Sequence, residues 1–369
     1  MGAIWRRVWG GVLALTSGLL LVLCFPPFDV GGLVWVGMIP LMVALWAGGG
    51  EKRRWWHGFR MGWLAGAAFW VINLQWISEV SNMGMWAMGL YLAVYFGLWG
   101  SFAAGVGNPW RRPDDEERPP LSVGGRSRTY AAVNALMWCG LEWVRGWMLT
   151  GFGWNGLGVS FHQTPVIAQA ADLVGVTGLS FLPVFLAAVL VQVARRLNRE
   201  ARRGLLRAHW DFGIAATVIA VVFVYGVVRL QRGIGGEVRP LKVLLVQLNI
   251  PQDARTVLWS LEEVHRGYEE ETLKAFEALE ERNARRVEEA LSDGRPEAGV
   301  TLDLPEWVVW PEAALKQWLF FTEDGTQATG EFNRQTIGIV REQAPFTLMM
   351  GLNEIEAVED NGRLIPKED

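Results

Sequence analysis

Long apolar stretches separated by short polar connections dominate the first 230 residues of the chain. Each stretch approaches the roughly 20 mostly apolar residues that an α-helix needs to cross the hydrocarbon core of a bilayer. We therefore predict about seven transmembrane helices, in the segments Val8–Phe25, Val30–Ala47, Phe59–Ile77, Gly84–Val106, Tyr130–Leu149, Asp172–Ala194 and Phe212–Leu230. The third and fifth segments carry polar residues, which are costly in a bilayer and are therefore candidates for function.

The pattern changes after residue 240, where short apolar runs alternate with amphipathic stretches. The runs Leu241–Gln247, Trp307–Trp310 and Thr347–Met350 predict strands, and the first is continuous enough to be buried on both faces. Ser260–Leu291 and Glu331–Gln343 predict the intervening helices. Strand–helix–strand alternation is typical of a layered α/β domain. We expect about three strands and two helices, followed by a polar, frayed final stretch.

The charge of the connections between the predicted spans alternates. Those on the N-terminal side are basic, as at residues 52–54 and 195–207, and include a polar loop at 109–128. Those on the other side, near Pro27 and Gly156, contain no Lys or Arg. The positive-inside rule therefore places the N-terminus in the cytoplasm and the part after the seventh span outside.

Composition supports two domains of different character. Residues 1–240 carry 21 Lys and Arg against 12 Asp and Glu, a net charge of +9, whereas residues 241–369 carry 13 against 26, a net charge of −13. We predict a membrane domain at 1–231 and an outer domain at 232–369. The acidic outer part excludes a nucleic-acid partner, because phosphate contacts need a basic face. The two cysteines, Cys24 and Cys139, lie in apolar stretches and exclude a disulfide framework.

The residues Trp310-Pro311-Glu312 follow a predicted buried strand. Sheets in α/β folds bind their ligands beyond the carboxyl ends of the strands, so Glu312 is a candidate catalytic residue there. A glutamate in such a place can act as a general base. The alternative is an ordinary acidic residue at the end of a strand, and spacing alone does not exclude it.

Glu142 and Arg145 lie three residues apart in the fifth span, so they share one helix face and predict an ion pair within the membrane. The pair could be structural, fixing helix packing, or functional. Trp147 and Trp154 flank the outer end of the same span, where aromatic residues commonly form an interfacial belt. The sequence lacks H-E-x-x-H, Walker and G-x-G-x-x-G motifs, so no metal or cofactor is predicted.

Several stretches together resemble the apolipoprotein N-acyltransferase family. CFPPFDVGGLVWVGMIPLM, GFRMGWLAGAAFWVINLQWISEV, LEWVRGWMLTGFGWNGLGVS and PVIAQAADLVGVTGLSFLPVF are similar to the family's membrane part. VLLVQLNIPQD, VVWPEAAL and MMGLNEIE are similar to the first half of its carbon–nitrogen-hydrolase (nitrilase-like) domain. The resemblance implies a multi-span helical membrane domain followed by part of a periplasmic α-β-β-α sandwich, in the bacterial inner membrane.

The family's activity is implied by the same resemblance. Its members transfer an acyl chain from a phospholipid, through a thioester, to the N-terminal amine of a diacylglyceryl-cysteine lipoprotein, with a Glu–Lys–Cys triad. Glu312 matches the family's glutamate, whereas Lys316 and Lys367 do not match its lysine motif. We expect the family's lysine, cysteine and last span to be missing from this chain, and the chain to be an inactive fragment.

Candidate substrate-binding residues follow from the resemblance as well. They are Trp259, after the I-P-Q turn, Asn353 in MMGLNEIE, and the two tryptophans Trp147 and Trp154. Two other functions stay open at this point. One is a membrane-tethered amidase of the same superfamily, and the other is a non-catalytic membrane protein with a degenerate domain.

Overall fold

The computed structural model describes residues 3–48, 53–111, 120–204, 208–233, 239–250, 259–312, 314–323, 327–360 and 363–367. The chain divides into two compact units, Met1–Gly235 and Gly236–Asp369. The first unit, called here the helical unit, contains only helices and connections among its described residues, and the second, the mixed unit, contains all the described strands.

The helical unit has a helix in each of the seven predicted apolar segments. Its α-helices are α1 (Ala3–Val22), α2 (Val34–Gly37), α3 (Ile39–Ala47), α4 (Arg54–Asn73), α5 (Asn82–Ala104), α6 (Pro120–Arg145), α7 (Pro165–Ala168), α8 (Ala171–Leu179), α9 (Phe181–Arg203) and α10 (Trp210–Arg232). Short 3-10 turns lie at Gly31–Leu33, Gln75–Glu79, Pro109–Arg111, Met148–Thr150 and Leu157–Gln163.

The apolar helices are typical of a membrane protein. Within the described part of the chain, three helical segments are long and apolar enough to cross a bilayer, namely Asn82–Arg111, Phe181–Arg203 and Trp210–Arg232. Val8–Val22 and Gly31–Ala47 are apolar but shorter. The number of seven crossings and their direction stay predictions.

The polar loop predicted at 109–128 is partly wrong, because α6 already begins at Pro120. Distant helices supply the partners for its polar residues. Ser127 Oγ donates to Asp211 Oδ2 at 2.6 Å, and Gln192 Nε2 donates to the Ser127 carbonyl at 3.1 Å. Residues 112–119 lie outside the described residues.

Glycines allow α4 and α5 to pack with their backbones in contact. A Cβ atom on Gly58 would lie 2.2 Å from the Gly100 carbonyl oxygen, and one on Gly62 would lie 2.2 Å from the Phe96 carbonyl oxygen. Residues with side chains cannot make such an approach, and small residues at four-residue spacing are typical of helix packing in membranes.

Among its described residues, the mixed unit contains two sheets, two α-helices and a short 3-10 turn at Glu297–Gly299. Its strands are β1 (Val243–Leu245), β2 (Trp307–Val309), β3 (Leu315–Phe321), β4 (Gln327–Thr329), β5 (Thr347–Met349), β6 (Leu352–Asp360) and β7 (Arg363–Pro366). The first sheet is parallel, in the order β1-β2-β5, which confirms the three predicted strands. The helices α11 (Leu261–Ser292) and α12 (Glu331–Arg341) confirm the two predicted helices.

The beginning of α11 follows from its sequence. Ser260 accepts a hydrogen bond from the Glu263 backbone at 3.2 Å, and the Glu263 carboxylate accepts one from the Ser260 backbone at 2.6 Å. This reciprocal capping box satisfies amides that have no partner within the helix. The hydrogen bond from the backbone lowers the pKa of the Glu263 carboxyl below its usual range.

A second sheet, in the order β4-β3-β6-β7, corrects the expectation of only three strands. In it, β3 and β6 are parallel, with Phe320 opposite Ile355. The predicted frayed final stretch is also wrong, because β7 pairs with β6 in antiparallel register. Two sheets and two helices form the layered α/β region, and the full α-β-β-α sandwich stays a prediction.

The strand at Leu241–Gln247 is shorter and more exposed than predicted. Only Val243–Leu245 is extended, and the Leu245 side chain is 73% exposed within the chain. The reason is the strand order, which places β1 at the edge of its sheet and β2 in the middle. Val308 at the centre of β2 is fully buried.

Candidate functional site

Trp310 fixes the end of β2 from three directions. Its backbone amide donates to the Met349 carbonyl at 2.8 Å, and its indole Nε1 donates to Thr272 Oγ1 on α11 at 3.2 Å. Its ring stacks on Tyr268, with centroids 5.1 Å apart. Burial raises the pKa of the Tyr268 hydroxyl. The residue before Pro311 therefore has little freedom.

Glu312 follows this fixed point and is exposed. It lies beyond the carboxyl end of the central parallel strand β2, as predicted. The Pro311 carbonyl accepts a hydrogen bond from the Gly351 amide at 3.3 Å, which ties this edge to the residue before β6. The arrangement presents an exposed carboxylate beside the fixed Trp310, a position from which a general base could act. Its catalytic role stays a prediction.

The other residues predicted in the mixed unit occupy different places. Asn353 lies near the beginning of β6, half-buried, two residues after Gly351. Trp259 is half-buried just before α11 and packs on the apolar core, where a Cβ atom on Gly267 would lie 3.2 Å from its ring. Their substrate-binding roles are untested. Lys367 binds Glu356 at 2.6 Å and Glu323 at 3.0 Å, so its ammonium group is held in surface ion pairs.

Glu142 in α6 is held by three hydrogen-bond donors. Its Oε1 accepts from Trp138 Nε1 at 2.8 Å and from the Leu157 amide at 2.9 Å. Its Oε2 accepts from Ser180 Oγ at 2.6 Å. Ser180 lies between α8 and α9 and also binds the Gly158 amide at 2.7 Å. The carboxylate thus joins α6 to the 3-10 turn Leu157–Gln163 and to the beginning of α9.

Arg145 is only 4% exposed and binds the segment that follows α6. Its Nη1 donates to the carbonyl oxygens of Phe152 at 2.9 Å and Trp154 at 2.7 Å. Its guanidinium group lies 4.7 Å from the centroid of the Trp70 ring, within the range of a cation–π contact. The contacts of Glu142 and Arg145 are to other groups, and an ion pair between them stays a prediction.

Two pockets meet at these charged side chains. One, with about 340 Å³ of empty space, is lined by aromatic residues that include Trp70 and Trp138. The other, with about 600 Å³, is lined by Trp147 and by glycines. Trp147 and Trp154 are 55% and 61% exposed, and both their interfacial position and their substrate contacts stay predictions.

Ser180 and Trp138 were not predicted as partners of Glu142. Ser180 directly precedes α9, at the N-cap position that serine favours, but its side chain makes no capping hydrogen bond there and binds Glu142 instead. Trp138 lies one turn before Glu142 on α6, so helical spacing could have identified it. Within the described residues, no group of three or more His, Cys, Asp or Glu is placed to hold a metal ion.

Comparison with known proteins gives consistent matches. The family model of the apolipoprotein N-acyltransferase N-terminal domain matches residues 17–189. An apolipoprotein N-acyltransferase of Geobacter metallireducens is 30% identical over 290 residues, covering 75% of this chain and 48% of that protein. One of Brucella melitensis is 26% identical over 389 residues, covering 99% of this chain and 64% of that protein. One of Rhizobium rhizogenes is 28% identical over 272 residues, covering 67% and 46%.

The chain is a relative of the apolipoprotein N-acyltransferases. This confirms the resemblance inferred from its sequence. It spans between 46% and 64% of the length of these three proteins. The match to the N-terminal domain of the apolipoprotein N-acyltransferases includes Glu142, Arg145 and the segment with Trp147 and Trp154. Glu312 lies beyond that range but within the share of the chain that the Brucella protein covers.

Proposed function

We propose that this chain belongs to an enzyme that N-acylates lipoproteins, with a phospholipid as the acyl donor. The acceptor is the N-terminal amine of a diacylglyceryl-cysteine. Three apolar helices among the described residues would hold the enzyme in the membrane, where both substrates are also attached. Relatives named apolipoprotein N-acyltransferase support the reaction class, and the observation that carries the proposal is the exposed Glu312 on the rigid end of a central parallel strand.

The proposed reaction has two steps through a thioester. Glu312 accepts the proton of a cysteine thiol, and the thiolate attacks the phospholipid ester carbonyl. The ester C–O bond breaks, and the lysophospholipid oxygen takes the proton back from Glu312. The lipoprotein amine then attacks the thioester carbonyl, the C–S bond breaks, and the amine proton passes through Glu312 to the sulfur. A lysine stabilises the oxyanion in both steps.

The two cysteines of this chain are not the proposed thiol. Cys24 is buried and Cys139 is half-buried, both in the helical unit. The relatives are longer than this chain, and we propose that the lysine and the thiol lie in the part of their length that it does not span.

The test is replacement of the native enzyme in living cells. A bacterium depleted of its own lipoprotein N-acyltransferase would express the complete reading frame that contains this chain, and mass spectrometry would measure acyl chains on the N-terminal lipopeptide. We expect a third, amide-linked chain to reappear. Hydrolysis of a soluble amide without lipoprotein acylation would replace this proposal with that of a membrane-tethered amidase.

We further propose that residues 1–231 form the inner-membrane domain, with seven spans and a cytoplasmic N-terminus, and that residues 232–369 lie in the periplasm. The alternation of basic connections supports this orientation. A single cysteine at Arg203 should resist a membrane-impermeant thiol reagent in whole cells and react after lysis. A cysteine at Asn82 should react in whole cells. The reverse pattern would overturn the topology.

A further inference from the structure

The segment after α6, residues 147–156, is called here the aromatic segment because it contains Trp147, Phe152 and Trp154. Its backbone is strained. Leu149, Thr150 and Asn155 have φ values of +51°, +71° and +51°, in the left-handed region that residues with side chains rarely adopt. Such conformations cost free energy and persist only where surrounding contacts enforce them.

Buried Arg145 and half-buried Glu142 supply those contacts. Arg145 Nη1 binds the Phe152 and Trp154 carbonyls, and the Arg145 carbonyl accepts from the Phe152 amide at 2.8 Å. The strained Leu149 and Thr150 lie inside the loop that these bonds close. Glu142 holds the far end of the segment through the Leu157 amide. Arg145 therefore holds carbonyls within the aromatic segment, and Glu142 holds the residue directly after it, from the same face of α6.

The loop closed by these hydrogen bonds is tight at Gly151. Gly151 has a φ of +78°, and a Cβ atom there would lie 2.2 Å from the Gly146 carbonyl oxygen. The closed loop turns apolar side chains outward, since Leu149 is 74% exposed and Met148 is 41% exposed. An apolar pocket with about 630 Å³ of empty space lies beside them, lined also by Met88 and Tyr91 of α5.

Large exposed apolar side chains on a strained backbone are expensive in water and indicate a contact surface. The helical unit carries the apolar helices of a membrane protein, so lipid is the apolar medium available to it. We propose that Glu142 and Arg145 are positioning residues that clasp the aromatic segment and hold Leu149 against lipid acyl chains. This inference concerns the helical unit alone and does not require the proposed acyl transfer.

Spin labelling tests the clasp in the full chain reconstituted in phospholipid nanodiscs. Cys24 and Cys139 would be replaced by alanine, and a nitroxide attached to Leu149→Cys. In the parent we expect a mainly immobile spectrum and more frequent collisions with oxygen, which dissolves in lipid, than with a water-soluble nickel chelate. Arg145→Ala and Glu142→Ala should make the mobile component dominant and reverse the collision preference.

Matched variants separate positioning from general stability. Arg196→Ala removes an arginine bound to buried Asp211 elsewhere in the same unit and should leave the label at residue 149 immobile. A label at Val221→Cys on α10 should be unaffected by Arg145→Ala. Glu142→Gln should retain most of the order, because its amide group can bind the same three partners once the Ser180 hydroxyl turns to accept.

Three outcomes would overturn the proposal. One is a label at residue 149 that stays immobile in Arg145→Ala while the helices remain folded. Another is a label at residue 149 that is as mobile in the Arg196→Ala control as in Arg145→Ala. The last is a parent label that collides mainly with the nickel chelate, which would place Leu149 in water. If Arg145→Ala does not fold, the mobility of the label at residue 149 is compared between Glu142→Ala and Glu142→Gln. Equal mobility in these two variants would then overturn the proposal.

Discussion

Two glutamates, one in each unit, show opposite uses of a carboxylate. Glu142 in the helical unit has its oxygens occupied by Trp138, Leu157 and Ser180, from three separate parts of the chain. Glu312 in the mixed unit is exposed, and the order around it belongs to its neighbour Trp310. A carboxylate whose lone pairs are occupied holds structure together, whereas one that is free on a rigid support can accept a proton.

The comparison also explains why the two sites respond differently to substitution. Removing a partner of a buried charge leaves unsatisfied groups and destabilises the fold. Removing an exposed carboxylate leaves the fold intact and changes only the rate of a reaction in which that carboxylate takes part.

Glu312→Gln should abolish most of the N-acylation while leaving folding unchanged. The amide keeps the shape of the side chain and cannot act as a base, and loss of a general base costs about 10²–10⁴-fold in rate. The measurement is the initial rate of lipopeptide acylation by the complete enzyme. Glu281→Gln, on the exposed face of α11, is the control. Equal rates for the two variants would remove Glu312 from the mechanism.

Arg145→Ala should destabilise the helical unit substantially. It removes two hydrogen bonds from a charged donor, each contributing about 1.5–3 kcal/mol, and leaves the half-buried Glu142 without a neighbouring positive charge. Replacing both residues, as in Glu142→Leu with Arg145→Met, should cost less than Arg145→Ala alone. The measurement is thermal unfolding in detergent.

The control for that comparison is Arg229→Ala, which removes an exposed partner of Asp172. Exposed pairs contribute about 0–1 kcal/mol, so this variant should unfold close to the parent. If the double variant were less stable than Arg145→Ala, the view of the two residues as a mutually compensating pair would be wrong.

Gly62→Ala should destabilise the packing of α4 on α5. Its Cβ atom would lie 2.2 Å from the Phe96 carbonyl oxygen, so the helices must separate, and overpacking of this kind costs about 1–3 kcal/mol. Gly140→Ala on α6 meets nothing within 4 Å and should be neutral or stabilising. The same unfolding assay compares them, and equal melting temperatures would contradict close backbone packing.

Asp303→Asn should have the smallest effect, confined to the mixed unit. A hydrogen bond from Lys242 Nζ, together with nearby Arg286, lowers the pKa of the Asp303 carboxyl. Because the folded pKa is the lower one, the stabilisation is present above the unfolded value of about 3.9 and is lost as the pH falls below it.

The measurement for Asp303 is proteolysis of the mixed unit in the full chain as the pH is lowered. The parent should lose protection gradually, and Asp303→Asn should be slightly less protected at neutral pH and depend less on pH in that window. Asp293→Asn, which removes an exposed partner of Arg295, serves as the control. A parent whose protection rises with acidity would contradict the direction of the pKa shift.

The sequence predicted the helices of the helical unit well because apolar runs of membrane length are local features. Each of the seven segments contains a helix, and the largest boundary shifts are at the beginning of α6, which starts at Pro120 instead of Tyr130, and at the end of α9, which reaches Arg203 instead of Ala194. The beginning of α11 was equally local, since Ser260 and Glu263 cap each other three residues apart. The position of Glu312 after a strand followed from Trp307–Trp310 alone.

The second sheet was missed because its strands carry mixed signals. β6 alternates acidic with apolar residues, so its sequence is typical of a polar segment. Its partner β3 lies more than 30 residues earlier in the chain. Parallel pairing of this kind depends on contacts that no local window contains. The same limit applies to β1, whose apolar sequence predicted full burial although the strand order left it at an edge.

The sequence by itself thus determined where the chain is helical, which charges are unusual, and which carboxylate ends a strand. Only the tertiary structure decided what those charges contact. Ser180 is 38 residues from Glu142 in sequence, and the carbonyls bound by Arg145 follow a stretch of backbone with positive φ values that no local pattern predicted. Hydropathy and propensity act over one or two helical turns, whereas the satisfaction of a buried charge depends on which distant groups the fold brings within about 3 Å.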